Sequence, residues 1–254
     1  MSFIKANNSL KPIEVDMLSF SGKVSIPDQI LSIFSFLYYV GLPTKWTIYT
    51  DKTYTEEDKK TLLSLFPFCE ILDWDNSEPI DNVIYDCNNK YFLAKKLNAI
   101  INHPKKGITI YADSDIIFYS KFKKYITSPL IKPDNWFMAD TLSDDDSKWF
   151  TENAFTRLNS GFFLFNTDFD NNDLIIFLKS LNGDFNAYFT EQLAFEYAFQ
   201  KQNAKSLDAR TFILDTGDQF SFDTPYLPSH IALRHYTSPV RHKMWQYGWR
   251  WHFN

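Results

Sequence analysis

The chain has 254 residues, 44% hydrophobic, 22% charged and 18% aromatic, with only 7 glycines and 11 prolines. That is enough for one large domain with a sizeable core, and the composition excludes a disordered or collagen-like chain. A formal net charge of -5 argues against a broad phosphate-backbone footprint, so nucleic acid is not an expected partner.

Ile13 to Ser19 reads as a strand. Ser25-Ile-Pro-Asp28 then supplies a capping box with Pro27 in the first turn, and Ile30, Ile33, Phe34, Leu37 and Tyr38 keep helical spacing until Gly41 and Pro43 stop it. Trp46 to Tyr49 is a short β-rich run, Thr55-Glu-Glu-Asp58 opens a helix through Phe66, and Cys69 to Leu72 is the next strand. A third helix is expected over about Asn89 to Ile101, followed by the apolar run Ile108 to Ala112, bounded like a fully buried strand. Further on come Trp136 to Ala139, the strand Gly161 to Phe165, a helix from Asp173 to Leu181 and another from about Tyr188 to Phe199. The alternation predicts an α/β fold with a mainly parallel, Rossmann-like sheet covered by helices on both faces. No linker, repeat or low-complexity tract divides the chain.

The glycines stand at 22, 41, 107, 161, 183, 217 and 248, too far apart for a glycine-rich phosphate loop. Two cysteines, Cys69 and Cys87, are too few for a disulfide scaffold or a four-cysteine zinc site, and a reducing, cytoplasmic setting is the simpler expectation. The longest apolar stretch, Ile30 to Leu42, contains Ser32 and Ser35 and falls short of the roughly 20 apolar residues a bilayer span needs. A soluble, unprocessed chain without a transmembrane segment is expected.

The chemistry concentrates where the buried strand runs into Asp113-Ser-Asp115. With a period of two, both carboxylates face the same way at the carboxyl end of the strand, where open α/β sheets bind ligands. Two such carboxylates suit a hard divalent cation, Mg²⁺ or Mn²⁺; a plain turn with capping aspartates is the alternative.

The segment ITIYADSDIIFY resembles the D-x-D strand of GT-A-type nucleotide-sugar glycosyltransferases, and three further blocks follow in that family's order. Arg157-Leu-Asn159-Ser160-Gly161 followed by Phe-Phe-Leu-Phe-Asn166 is similar to the strand that touches the donor sugar. Thr190-Glu191-Gln192 is similar to the acidic-Gln pair that opens a later helix. The stretch from His235 to Trp245 resembles the C-terminal His-aromatic…Lys-Pro-Trp block of the retaining glycogenin and bacterial lipopolysaccharide galactosyltransferase group. The likeness implies a single GT-A-like domain, with residues 13–115 as the nucleotide-binding half and 116–254 as the sugar and acceptor half. It also implies transfer from a nucleotide-diphosphate sugar, UDP-linked by preference, to a hydroxyl acceptor that is a glycan, lipid-linked or protein.

Carried over residue by residue, the resemblance makes Asp113, Asp115 and His235 the metal ligands, with Asp113 also near the ribose. Lys96, with adjacent Lys95 as its competitor, would reach the donor, Ser19 and Ser21 the nucleotide, Asn159, Ser160 and Gly161 the donor sugar, and Glu191 and Gln192 the sugar-facing side of the reaction. The family's diphosphate lysine lies six residues after the histidine. Here that place holds Arg241, and Lys243 lies eight on, so either cation fits the role; Met244 replaces the family's proline. An inverting enzyme would need a carboxylate base, for which Glu191 or one of Asp144 to Asp146 is available.

Two other readings remain at this level. ITIYADSD also has the hydrophobic-strand D-x-D form of a haloacid-dehalogenase-like phosphatase, with Gly217 to Asp223 as its late acidic motif, although that family places its nucleophile on the first core strand. A non-catalytic sugar- or protein-binding module would use the aromatic residues for contacts. The tail alternates Trp245, Tyr247, Trp249, Trp251 and Phe253 with polar residues. It reads as a packed strand, or as a peripheral membrane contact towards a lipid-linked acceptor.

Overall fold

The computed structural model describes residues 10–74, 80–91, 93–128, 134–140, 157–166, 169–185, 189–214, 230–238 and 240–246. Its elements are β1 (Pro12–Ser21), a short 3-10 turn (Lys23–Ser25), α1 (Ile26–Tyr39), β2 (Leu42–Thr50), α2 (Glu56–Leu65) and β3 (Cys69–Asp73). Then come α3 (Asn82–Lys90), α4 (Ala94–Asn102), β4 (Thr109–Ala112), β5 (Ile116–Phe118), α5 (Ser120–Ile126), β6 (Trp136–Ala139) and β7 (Leu158–Phe165). The last are α6 (Asn172–Ser180), α7 (Thr190–Lys201), β8 (Lys205–Ser206), β9 (Phe212–Leu214), β10 (Leu233–His235) and α8 (His242–Gln246).

Seven strands form the main sheet in the order β3-β2-β1-β4-β7-β6-β8. β3, β2, β1 and β4 run parallel; β7 is antiparallel to both β4 and β6, and β8 is parallel to β6. The order turns back at β1, which has β2 on one side and β4 on the other. The crevice beyond their carboxyl ends is therefore the expected ligand position in such a sheet.

Alternation along each strand sends successive side chains into two separate layers. Met17, Ile48, Ile110 and Phe162 join the layer under α1 and α2, whereas Leu18, Tyr111, Phe163 and Phe165 join the layer under α3, α4, α6 and α7. All eight residues of β7 are buried, which fits the apolar run Gly161 to Phe165; Asn159 and Ser160 ahead of it are buried polar residues.

Three departures from the sequence reading matter for the site. The expected helix over Asn89 to Ile101 is two helices: α3 starts earlier, capped by Asp81 whose carboxylate accepts from Val83 N at 2.9 Å, and α4 restarts at Ala94. Lys96 therefore stands, buried, in the first turn of α4. At the start of α1, Ser25 makes no capping bond and Asp28 does not reach back to it; the Asp28 carboxylate accepts from Trp245 Nε1 at 2.6 Å instead. The capping box at Thr55 and Asp58 does form, with both reciprocal bonds present.

The third departure is a second, three-stranded sheet, β5-β10-β9, whose strands of three residues are too short to show periodicity. Leu233, Arg234 and His235 pair antiparallel with Phe118, Ile117 and Ile116, directly after the D-x-D turn.

Candidate active site

A cleft of about 380 Å³ opens at the carboxyl end of β4, lined among others by Lys96, Asp113, Asp115, Asn159, Ser160, Gly161, Glu191, His235 and Arg241. They arrive from α4, the turn after β4, β7, α7, β10 and the segment just before α8. Asp113 is fixed by its amide, which donates to Gly161 O at 2.8 Å, and Asp115 by its carbonyl, which accepts from Tyr236 N at 2.9 Å. That second bond extends the β5–β10 pairing, and it brings His235 next to a residue 120 positions earlier in the chain.

β7 bulges at this point. Phe137 faces Phe163, but the next residue of β6, Met138, faces Asn159, so Ser160 to Phe162 are extra on the β7 side. A bulge re-aims side chains next to a site. Here Asn159 Oδ1 accepts from Gly161 N at 3.0 Å and lies 3.0 Å from His235 Nδ1. Because that oxygen can only accept, His235 Nδ1 is the donor of this bond, which leaves Nε2 as the nitrogen that faces the aspartates.

Nε2 faces Asp115 Oδ1 at 3.1 Å and Asp113 Oδ2 at 3.7 Å, and the three candidate ligand atoms lie within 4.8 Å of one another. With a cation present, the Nε2 lone pair and the two carboxylates would supply three donors around one positive centre; without one, 3.1 Å is the length of a hydrogen bond from Nε2 to Asp115. Two oxygens and one imidazole nitrogen suit a divalent first-row cation, with the Asn159 bond orienting the imidazole as such ligands require.

Burial and the neighbouring Asp115 push the Asp113 carboxyl up against the pull of Lys96. At Asp115 burial also opposes ionisation, but His235 and Arg241 overcome it and hold the carboxyl at about 2. Tyr111 donates its hydroxyl to Asp113 Oδ1.

On the other wall, the ammonium of Lys96 is buried and pairs with Glu191 Oε1 at 2.7 Å, and it donates to Ser160 Oγ at 3.0 Å. Burial opposes its charge, yet Asp113 and Glu191 raise its pKa overall. Ser160 Oγ donates to Glu191 Oε1 at 2.6 Å, Gln192 Nε2 donates to Asp140 Oδ2 at 3.1 Å, and Asp140 also lines the cleft. Arg241 grips Asp115 Oδ2 through Nη2 at 2.6 Å and Nε at 3.0 Å.

Ser19, Ser21 and Lys243 stand apart from these. Ser19 Oγ accepts from Trp46 Nε1 at 3.0 Å, and Ser21 Oγ accepts from the Tyr54 hydroxyl at 3.0 Å, both within the buried sheet. Neither serine lines the cleft, and nor does Lys243, on α8. Asp144 to Asp146, Gly217 to Asp223 and the tail beyond 246 lie outside the described residues.

Asp28 and Asp140 are two charged neighbours of the site that sequence reasoning did not single out. Asp28 carried the signal of a helix cap, which fitted it to a different role. Asp140 follows the strand Trp136 to Ala139 with no motif around it to mark it.

This sheet order, with the aspartates at the end of β4 and a late strand returning beside them, defines the GT-A glycosyltransferase fold. Among solved structures of that architecture, a galactosyltransferase, LgtC, in complex with donor and acceptor sugar analogs superimposes with a TM-score of 0.62 and 12% identity, covering 88% of this chain and 87% of that one. The glycosyltransferase GlyE of Streptococcus pneumoniae gives 0.60 at 16% identity over 92% of this chain and 60% of its own. Mouse xyloside xylosyltransferase 1 gives 0.58 at 12% identity over 90% and 99%. At the level of sequence, no family model and no curated protein matches this chain.

Proposed function

We propose that this chain transfers a sugar from a nucleotide-diphosphate donor, UDP-linked by preference, to a hydroxyl acceptor with the help of a divalent cation. The observation that carries the reading is the convergence of Asp113, Asp115 and His235 around one point, with Lys96 and Arg241 on the walls of the same cleft. The shared architecture with glycosyltransferases supports it as fold-level analogy.

Breaking a sugar–phosphate bond leaves a nucleoside diphosphate whose growing negative charge must be stabilised. Asp113, Asp115 and His235 would hold the cation, and the mixed oxygen and nitrogen set favours Mn²⁺ over Mg²⁺. When bound, such a cation acts as a Lewis acid on the departing diphosphate. Arg241, on the cleft wall, is the better placed of the two candidate diphosphate cations; Lys243 keeps the weaker claim. Ser19 and Ser21 commit their hydroxyls to Trp46 and Tyr54, so their part in nucleotide contact would be through the main chain.

Asn159, Ser160 and Gly161 would face the donor sugar. Glu191 is held by Lys96 and Ser160, and Gln192 by Asp140, which suits them to positioning sugar hydroxyls from one face. A carboxylate engaged by a buried ammonium is a poor general base, which weighs against Glu191 as the base of an inverting reaction and leaves that role to Asp144 to Asp146; the resembled group retains configuration. Among the described residues no helix is long and apolar enough to cross a membrane, and a glycan, lipid-linked or protein acceptor fits equally.

Thermal shift tests the reading. Mn²⁺ with UDP is expected to stabilise the protein more than the sum of either alone, and Asp115→Ala to abolish the excess. Metal-dependent release of a nucleoside diphosphate from a panel of nucleotide sugars then identifies the donor. No coupled stabilisation with any nucleoside diphosphate, together with Mg²⁺-dependent aryl phosphate hydrolysis lost in Asp113→Asn, would favour the phosphatase reading.

A further inference from the structure

Arg241 stands between two carboxylates. Its Nε and Nη2 both donate to Asp115 Oδ2, at 3.0 and 2.6 Å, and Nε lies 3.9 Å from Asp28 Oδ2. Asp28 is 5% exposed in the first turn of α1, where its other oxygen accepts from Trp245 Nε1 at 2.6 Å. The remaining oxygen of Asp115, Oδ1, faces His235 Nε2 at 3.1 Å. A single carboxylate thus offers one oxygen to the candidate cation pocket and the other to a guanidinium that is always charged.

A divalent cation entering at Oδ1 would meet that guanidinium across the width of one carboxyl group. At such range like charges repel strongly even in a partly solvated protein environment. Negative charge arriving beside the cation cancels the repulsion, and the Arg241 side chain is 45% exposed and lines the cleft, where it can donate to an incoming diphosphate.

Resting on the glycosyltransferase reading above, we propose that Arg241 makes cation binding conditional on the diphosphate, and that Asp28 is the positioning residue that sets how far Arg241 leans on Asp115. Asp28 competes for the guanidinium and draws it outward. Stripped of that charge, Asp28 would leave Arg241 to Asp115 alone. The two residues therefore act on the cation with opposite sign, which a merely structural role would not produce.

The test is Mn²⁺ affinity, read from the electron paramagnetic resonance of free Mn²⁺, with and without UDP, in wild type, Arg241→Gln, Arg241→Lys and Asp28→Asn, with thermal unfolding as a folding control. Arg241→Gln is expected to bind Mn²⁺ alone about tenfold tighter, a modest share of the repulsion expected at an effective dielectric constant of about 20. In that variant UDP should raise Mn²⁺ affinity less than in wild type. Arg241→Lys keeps the charge and should stay near wild type. Asp28→Asn, which retains an oxygen for Trp245, should bind Mn²⁺ alone several-fold more weakly.

The proposal is overturned if Arg241→Gln binds Mn²⁺ alone no tighter than wild type, or if Asp28→Asn shifts in the same direction as Arg241→Gln. Should Arg241→Gln fail to fold, tighter Mn²⁺ binding by Asp28→Asn is enough to overturn it. A wild-type protein that binds no Mn²⁺ with or without UDP removes the glycosyltransferase reading itself, and this inference with it.

Discussion

Gly161 lies where a methyl group would meet the imidazole of His235. A Cβ built on it would come within 2.5 Å of His235 Nδ1 and 2.9 Å of Asn159 Oδ1. Its backbone is ordinary extended strand, so the need for glycine is one of space rather than torsion. Gly161→Ala is expected to push His235 off the aspartates, lowering Mn²⁺ affinity at least tenfold and costing on the order of 1–3 kcal/mol of stability through overpacking. Calorimetric Mn²⁺ titration and thermal unfolding measure the two effects, and wild-type Mn²⁺ affinity in this variant would remove His235 from the ligand set. At this scale the aspartates were legible because a strand's period of two places i and i+2 on one side. The Asn159–His235 bond was not, because nothing local links residues 76 positions apart.

At the scale of elements, α7 and β7 are joined by a buried carboxyl. Glu196 accepts from Leu158 N at 3.3 Å, and burial pushes its carboxyl up from an ordinary 4.5 to about 7. The folded state therefore binds more protons than the unfolded state between those values, so this group's contribution to stability falls as pH rises through the window. Glu196→Gln keeps an oxygen for the Leu158 amide and carries no charge to desolvate. It should raise the melting temperature at pH 8 and leave it nearly unchanged at pH 4.5; an equal shift at both values would show that ionisation of Glu196 is not the cause. The helices themselves show how far local signals reach. Thr55 and Asp58 cap α2 as their spacing predicts, yet the same pattern at Ser25 and Asp28 goes unused, since the Asp28 carboxylate finds stronger partners in Trp245 and Arg241.

Across the whole molecule the two apolar layers enclose both cysteines. Cys69 is 8% and Cys87 0% exposed, and burial pushes both thiols up, Cys87 to about 12. The thiolate is the reactive form, so neither should react until the layers open. Labelling at pH 8 by a thiol reagent should proceed no faster than unfolding and go to two thiols per chain in urea. Rapid labelling of the native protein would mean that one layer opens locally, at β3 for Cys69 or at α3 for Cys87.

The sequence by itself determined the alternating α/β order, the buried strands and the acidic pair at the end of one of them. Each is written in a local period or a short run of apolar residues. The distant groups were named only by resemblance, and the tertiary structure decided how they meet and put Arg241 rather than Lys243 on the cleft wall. His235 arrives on a three-residue strand and Arg241 just before a five-residue helix, lengths at which no periodicity can register. Their places follow from the pairing of β10 with β5 and from the Asp28–Trp245 contact, and such pairings depend on the whole packed chain rather than on any window of it.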